Sequence, residues 1–150
     1  QPGLAIQKLR MIRISNIPNE PGIAGKIFGA LSKINVESSV QAPAEKKAEI
    51  SILCLPGLVN NILSVLKEVK SESLPDIEIT EPVSVAELTL VDPLMREYPG
   101  YLGRVCRAIG EAGVNIESIS SPGITIAVVI QEEDLVKVAR ALAEEFQLIA

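Results

Sequence analysis

Two stretches of this chain repeat one pattern. The first is Asn16-Ile-Pro-Asn-Glu-Pro-Gly-Ile-Ala-Gly-Lys-Ile-Phe-Gly-Ala-Leu31, followed by Ile34-Asn-Val-Glu-Ser-Ser39. The second is Val91-Asp-Pro-Leu-Met-Arg-Glu-Tyr-Pro-Gly-Tyr-Leu-Gly-Arg-Val-Cys-Arg-Ala-Ile-Gly110, followed by Val114-Asn-Ile-Glu-Ser-Ile119. A repeat of this length indicates two copies of one supersecondary unit. The chain has 150 residues, which suits two domains of about 70 residues each.

The composition excludes several classes of function. The chain has no histidine, so imidazole-based catalysis and histidine-ligated metals are excluded, and we expect neither a metal nor a cofactor. A net charge of -5 and an aromatic content of 3% argue against nucleic acid as a partner. No apolar run reaches the roughly 18 residues of a membrane span, which favours a cytoplasmic protein without membrane contact. Because the first residue is Gln1 rather than methionine, we expect a fragment of a longer polypeptide.

Hydrophobic periodicity predicts the same order of elements in both copies. The first domain, residues 11–84, should contain strands at 10–17, 36–40, 48–55 and 76–82 and helices beginning at Ile23 and Leu58. The second, residues 85–150, should contain strands at 86–91, 115–120 and 124–130 and helices at 100–112 and 132–146. Because Glu37 follows Pro21 more closely than Glu117 follows Pro99, the first helix should be shorter by about half a turn.

The second copy has no obvious last strand, since only Gln147-Leu-Ile-Ala follows its second helix. A strand at residues 3–10 has no obvious partner in the first copy. We therefore predict that this N-terminal strand completes the second domain, because an open sheet edge invites mispairing. The predicted fold is α+β, with two ferredoxin-like βαββαβ domains, the first inserted into the second.

Two features of each copy point to a ligand. The helix after the Pro-Gly turn begins with unsatisfied backbone N–H groups, which attract a carboxylate. The strand that follows carries Glu37 or Glu117, whose carboxylate would suit an ammonium group. Together they are complementary to a free amino acid. The alternative is that Pro-Gly is an ordinary turn and that each glutamate is merely solvated.

The repeat also resembles a known family. Residues 17–31 with 34–41 look like the first ACT domain of aspartate kinases. Residues 113–121, 124–130 and 132–146 resemble the second ACT domain, and Gly3-Leu-Ala-Ile6 resembles the segment that joins the kinase domain to the regulatory region. The resemblance covers essentially the whole chain.

The resemblance implies feedback regulation of an aspartate kinase whose catalytic part lies elsewhere, in cis or in trans. An end product, lysine or threonine, would bind between ACT domains of paired chains, which form a homodimer, and shift the kinase towards an inactive state. The effector contacts implied in this sequence are Asn19, Gly22, Ile23, Ala24, Val36, Glu37 and Gln41 in the first copy, and Asn115 and Ile116 in the second.

Three departures from the family pattern keep an alternative open. The family commonly has aspartate at the positions of Asn19 and Glu37, and Pro122-Gly123 replaces a Ser-Glu pair. Asn19, the shortened first helix and Pro122-Gly123 favour a structural dimerisation module without a working effector site. A small ferredoxin-like enzyme or RNA-binding domain is a third class, which the missing histidines and sparse aromatic residues disfavour. Cys54 and Cys106 are interpreted as small core residues, since they lie in apolar or amphipathic stretches.

Overall fold

A computed structural model of the chain describes residues 2–42 and 46–148. Contacts between Cα atoms divide the chain into two compact units. Residues 9–83 contain the first repeat and are called here the first-copy unit. Residues 1–8 and 84–150 contain the second repeat and are called the second-copy unit.

The first-copy unit is an antiparallel sheet covered by two helices. Strand β3 lies between β2 and β1, and β4 pairs with the other side of β1 at Ile14 and Ser15. The elements are β1 (Gly3–Ile17), α1 (Ile23–Ala30), β2 (Glu37–Gln41), β3 (Ala48–Cys54), α2 (Val59–Glu72) and β4 (Glu78–Ile79).

Its core follows from alternation in the strands and from apolar stripes on the helices. Ile12 and Ile14 on β1 pair with Ile52 and Ile50 on β3, and all four side chains are buried. These side chains point to the helical face of the sheet, since alternate strand residues share a face. The helices bury Ile23 and Ile27 on α1 and Ile62 and Leu66 on α2 in the same cluster.

The second-copy unit repeats this arrangement. Its sheet has the order β1, β5, β7, β6, and the β5–β7 and β6–β7 pairs are antiparallel. Leu4, near the start of β1, packs against the core of this unit. The further elements are β5 (Val83–Val91), α3 (Tyr101–Glu111), β6 (Ser118–Ser120), β7 (Thr125–Gln131) and α4 (Leu135–Glu145).

The predicted α+β fold with ferredoxin-like repeats is confirmed. Helix α1 has 8 residues and α3 has 11, so the expected shortening of the first helix is also confirmed. The two predicted strands at residues 3–10 and 10–17 are one continuous strand of 15 residues.

Three predictions about elements and side chains were wrong. Strand β4 has only two residues instead of seven, since Thr80 bonds β1 through its side chain as well as its backbone and Pro82 has no N–H to donate. Strand β6 begins at Ser118 rather than at residue 115. Cys54 is buried as expected, but Cys106 lies on the exposed side of α3. The adjacent Arg107 is also exposed, so this part of the helix is solvated.

Two further observations concern the ends of the chain and membranes. Gln147 and Leu148 are not in a strand, and the last two residues lie outside the described part. Within residues 2–42 and 46–148, no helix has both the length and the apolar character that crossing a bilayer requires.

Candidate functional site

A bulge near the end of β1 directs the chain into the first Pro-Gly loop. The pairing register with β3 shifts between Ile14 and Ile17, and Asn16 adopts a positive φ of 57°. Its side-chain amide donates a hydrogen bond of 2.9 Å to the carbonyl oxygen of Asp76. Asparagine tolerates this left-handed conformation better than most residues, and bulges commonly redirect strands beside binding sites. Sequence analysis missed Asn16, although an asparagine that interrupts a β-branched run is a signal for a bulge.

Helix α1 begins directly after the loop, and two backbone N–H groups in its first turn have no acceptor among the described residues. Gly22 precedes the helix at φ 88°, a conformation that favours glycine. The N–H of Ile23 donates to the Glu20 carbonyl at 3.3 Å, and the N–H of Lys26 donates to the Gly22 carbonyl at 3.2 Å. Among the described residues, the N–H groups of Ala24 and Gly25 have no acceptor, and both residues are exposed. The positive end of the helix dipole adds to their attraction for an anion.

The strand after α1 presents one carboxylate that is not engaged. Glu37 is the first residue of β2 and is exposed, and its side chain forms no hydrogen bond or ion pair with another described residue. It lies opposite Leu53, and Gln41 lies opposite Glu49. These positions alternate with the buried Ile50 and Ile52, so both side chains are on the sheet face that α1 and α2 do not cover. The two residues are four positions apart along the strand, which is about 13 Å, so a small ligand at Glu37 would not reach Gln41.

The remaining first-copy candidates differ in what they offer a ligand. The side chains of Ile23 and Val36 pack in the same hydrophobic core, so neither side chain is available to a ligand. Asn19 is exposed in the loop. The structure therefore brings Asn19, Gly22, Ile23 and Ala24 together around one turn, with the start of β2 anchored in the same core by Val36.

The second-copy candidates precede β6 and lie in the other unit. Asn115 is exposed, whereas Ile116 packs against the core of the second-copy unit. The neighbouring Glu117 accepts a hydrogen bond of 2.8 Å from the side-chain amide of Gln131, and its N–H donates to the Val129 carbonyl at 2.8 Å. Glu117 is thus engaged within its own unit, unlike Glu37.

The second Pro-Gly loop contains a buried carboxylate that sequence analysis missed. Asp92 is 6% exposed, and its side chain accepts hydrogen bonds from the Leu94 N–H at 2.9 Å and from the Tyr101 hydroxyl. These two bonds hold the pKa of Asp92 below its usual value. Burial and the adjacent Asp92 carboxylate raise the pKa of Tyr101 to about 12. The signal in the sequence was an Asp-Pro pair at the strand end with a tyrosine directly after Pro-Gly.

An aromatic and ionic cluster continues from Tyr101 to the end of α4. The ring of Tyr101 stacks on Phe146 with centroids 5.1 Å apart, and the Arg104 guanidinium lies 4.4 Å from the Phe146 centroid. Arg104 donates to the Glu145 carboxylate at 3.1 Å and to its carbonyl oxygen at 2.9 Å, and Arg107 reaches the same carboxylate at 3.1 Å. The hydrogen bond from Arg104, with that from Arg107, lowers the pKa of Glu145.

The described residues form no metal-binding group, and the cavity in the structure does not coincide with the predicted site. Within the part of the chain that the structure describes, no group of three or more acidic or cysteine side chains could hold a metal ion. A cavity of about 350 Å³ lies between α3 and α4, and none of the predicted site residues lines it. Its lining residues are Ala108, Glu111, Ala112, Ala141, Glu144 and Glu145.

Known proteins are similar to this chain in sequence and in fold. Residues 88–146 match the family model described as an ACT domain. The aspartokinase of Corynebacterium efficiens is 30% identical over 142 residues, which cover 91% of this chain and 34% of that enzyme. The chain thus spans about a third of the length of the curated relatives that it matches.

Two solved structures match nearly end to end. The regulatory subunit of aspartate kinase from Thermus thermophilus, in its ligand-free form, has a TM-score of 0.82 at 23% identity, with 96% of this chain and 97% of that chain covered. This likeness shows the shared fold. The solved aspartokinase alpha and beta subunits give a TM-score of 0.81 at 25% identity, with 97% and 98% covered. Residues 88–146 therefore match the ACT-domain family, and the chain as a whole is similar in sequence to aspartokinases and in fold to their solved subunits.

Proposed function

We propose that this chain is the amino-acid-binding regulatory module of an aspartate kinase and that its effector site is built around the first Pro-Gly loop. The observation that carries this proposal is the combination of the free, exposed N–H groups of Ala24 and Gly25 with the unengaged carboxylate of Glu37 in the same unit. The amides suit the carboxylate of a free amino acid, and Glu37 suits its ammonium group.

The effector belongs to the aspartate family, with lysine and threonine as the leading candidates. The resemblance to aspartate kinases implies these two, and aspartokinase III of E. coli, a protein of the same fold, has been solved in complex with lysine. A lysine side chain would place a second ammonium group near the open face of β2. Asn19, where the family commonly has an aspartate, offers no charge to either candidate.

The effector site is completed by a second chain, and the module is a homodimer. The exposed groups of the first-copy unit form an open half-site, and all five residues of the edge strand β2 are exposed. Asn115 and Ile116 are proposed contacts from a neighbouring domain. The grouping of residues 1–8 with 84–150 supports our further proposal that the first ACT domain is inserted into the second. The kinase domain is joined in cis or associates in trans.

Binding regulates the kinase only if the effector prefers one of two states. An amino acid that contacts Ala24 and Glu37 stabilises the arrangement of the paired chains in which both groups reach it. Its free energy of binding to that arrangement, relative to the other, sets the size of the shift in kinase activity.

A structural dimerisation module is the second candidate. The hydrogen bond between Gln131 and Glu117 favours it, since the glutamate of the second copy is already satisfied inside its own unit. Under this alternative the pairing surfaces persist but no amino acid binds.

Thermal unfolding with each of the twenty amino acids at millimolar concentration separates the two candidates. A ligand that binds only the folded state raises the unfolding midpoint by mass action. We expect an upward shift with lysine, threonine or another aspartate-family product, and no shift with the remaining amino acids. No shift with any of the twenty, measured on a paired and folded chain, would refute the effector site and leave the structural module.

A further inference from the structure

One side chain ties the start of the first Pro-Gly loop to a distant part of the same unit. The side-chain amide of Asn16 donates its hydrogen bond of 2.9 Å to the carbonyl oxygen of Asp76, which lies 60 positions further along the chain. Asn16 also has a positive φ, which in the described part of the chain is otherwise found only for glycines and for Gln147. A residue keeps such a conformation where its surroundings hold it. The bond to Asp76 therefore helps to set the direction in which the chain leaves β1.

The acceptor belongs to a segment that is itself held firmly. Residues 73–77, called here the α2–β4 connection, place two buried side chains in the core of the first-copy unit. Lys70, in the last turn of α2, donates hydrogen bonds from its ammonium group to the carbonyl oxygen of Pro75, at 3.1 Å, and to that of Ile77. The last three carbonyl groups of the connection are thus all bonded by the side chains of Lys70 and Asn16. The connection is a fixed support for the loop.

Two buried side chains also attach the loop to its unit, and the Asn16 bond adds a directional contact. Ile17 and Ile23 lie in the core, one before and one after the turn, whereas residues 19–22 between them are all exposed. A rotation of the loop about these two attachments would move the N–H groups of Ala24 and Gly25, which follow directly. The bond at the start of the loop therefore bears on where those groups point.

We propose that Asn16 is a positioning residue for the effector site: its bond to the α2–β4 connection, which Lys70 holds in place, keeps the N–H groups of Ala24 and Gly25 directed at the carboxylate of the bound amino acid. The inference rests on the proposed function, since it concerns the same site, and it adds a residue that does not touch the ligand. Coupling between binding and a distant contact is reciprocal. Bound amino acid therefore makes local opening of the α2–β4 connection less frequent.

The first test removes the donor. Asn16→Gly retains access to a positive φ but has no side-chain amide. Calorimetric titration uses lysine or threonine, whichever raises the unfolding midpoint of the unchanged chain more. We expect the dissociation constant to rise by about threefold to tenfold, the effect of one lost hydrogen bond. Asn16→Asp, which also tolerates a left-handed conformation and lacks the donor, is the second variant and keeps the test decisive if the glycine variant does not fold.

The control and the contrary outcomes separate this proposal from the proposed function. Asn61→Gly, at an exposed asparagine of α2, places a glycine in the same unit and should lower stability without changing binding. Unchanged affinity in both Asn16 variants, or an equal loss in Asn61→Gly, would overturn the role of Asn16 and leave the effector site intact. A chain whose midpoint responds to none of the twenty amino acids would refute the proposed function and this role with it.

Hydrogen exchange supplies a readout that a loss of stability alone does not produce. The N–H groups of Ser73 and Leu74 both donate to the Val69 carbonyl, at 2.9 and 3.0 Å, so they exchange when the connection opens. We expect saturating amino acid to slow exchange in residues 73–77 of the unchanged chain and to leave it unaltered in Asn16→Gly. Slowing of equal size in both chains would show that the connection responds without Asn16, and it would overturn the proposal.

The part assigned to Lys70 has its own test. Lys70→Met removes the ammonium group and keeps most of the aliphatic side chain. We expect weaker binding, and the double variant with Asn16→Gly should lose less than the product of the two single fold-changes, because both act through one segment. Lys67→Met, at an exposed lysine of the same helix, is the charge-matched control. Normal binding by Lys70→Met, or an equal loss in Lys67→Met, would overturn the role of Lys70.

Discussion

At the residue scale, the same position of the repeat lies in two different environments. Glu37 and Glu117 both follow an Asn-x dipeptide, yet the Glu117 carboxylate accepts a hydrogen bond from Gln131, whereas the Glu37 carboxylate has no partner among the described residues. The sequence pattern predicted equal roles for both, because it identifies the residue type and not the neighbour across the strand. Gln131 is the last residue of β7 in the second copy, and the repeat pattern does not predict that it contacts Glu117.

We predict that Glu37→Ala weakens amino-acid binding by more than about 1.5 kcal/mol, the low end for a hydrogen bond to a charged group. That loss corresponds to at least about tenfold in the dissociation constant, which isothermal titration calorimetry measures. Glu49→Ala is the matched control, since Glu49 is also an exposed glutamate on the neighbouring strand β3. Equal affinities for both variants would move the ammonium site away from Glu37.

We predict that Tyr101→Phe lowers the unfolding midpoint by several degrees, because it removes the donor to the buried Asp92 carboxylate. The native pKa of Asp92 is lowered, so its contribution is present above its unfolded pKa of about 4 and is lost as the pH falls further. The native pKa of Tyr101 is raised to about 12, so its contribution is present below about pH 10 and is lost as the pH rises towards 12.

The stability difference between the unchanged chain and Tyr101→Phe should therefore be constant from about pH 5 to 9 and shrink on either side. Urea unfolding as a function of pH measures it. Tyr98→Phe, at a tyrosine that is 54% exposed, should leave the stability unchanged at every pH. A difference that does not vary between pH 3 and 7 would show that the hydroxyl acts without the Asp92 charge.

At the scale of elements, turn glycines position the amides that a ligand would meet. Gly22 has φ 88° and Gly100 has φ 92°, and an added Cβ would meet no atom within 4 Å at either position. Any cost of a substitution there is consequently backbone strain and not a steric clash. Sequence reasoning located both turns, since Pro-Gly marks them, and it also located the helices from their apolar stripes.

We predict that Gly22→Ala destabilises the chain by about 1–2 kcal/mol and also weakens amino-acid binding, since relief of the strain would move the amides of Ala24 and Gly25. Gly100→Ala should have a similar cost in stability without any effect on binding. Gly29→Ala, inside α1, should stabilise by about 0.5–1 kcal/mol, because alanine favours a helix. Denaturant unfolding and calorimetry measure the two quantities, and normal binding by the folded Gly22→Ala variant would contradict the role of this loop.

Elements with a weak local signal were not predictable. The two-residue β4 depends on hydrogen bonds between Thr80 and Arg13, which lie far apart in sequence. The bulge at Asn16 depends on an acceptor at Asp76. Long-range partners of this kind decide the ends of strands, whereas the pattern of apolar residues decides only that a strand exists.

At the scale of the whole molecule, the repeat carried most of the information about the fold, because two similar patterns imply two similar units. The first strand is the feature that joins them. Residues 3–8 belong to the second-copy unit and the rest of β1 to the first-copy unit, although no break interrupts the strand. Leu4 packs against the second-copy core.

We predict that Leu4→Asp destabilises the second-copy unit selectively, since it places a charge against that core. Hydrogen exchange followed by mass spectrometry should show faster exchange in residues 84–148 and unchanged exchange in residues 9–83. Ala5→Asp is the control, because Ala5 is exposed and the added charge is the same. Equal loosening of both units by Leu4→Asp would indicate that they unfold as one cooperative block.

The divided first strand also sets an order of events during synthesis on the ribosome. All residues of the first-copy unit have left the ribosome once Val83 has emerged, whereas Leu4 meets a complete core only after Leu142 and Phe146 have been made. Domains generally fold as their residues emerge. Residues 3–8, which are made before the first-copy unit, must therefore wait for their second-copy partners while the first-copy unit folds. In that interval the strand edge of residues 3–8 is open to strands from neighbouring polypeptides.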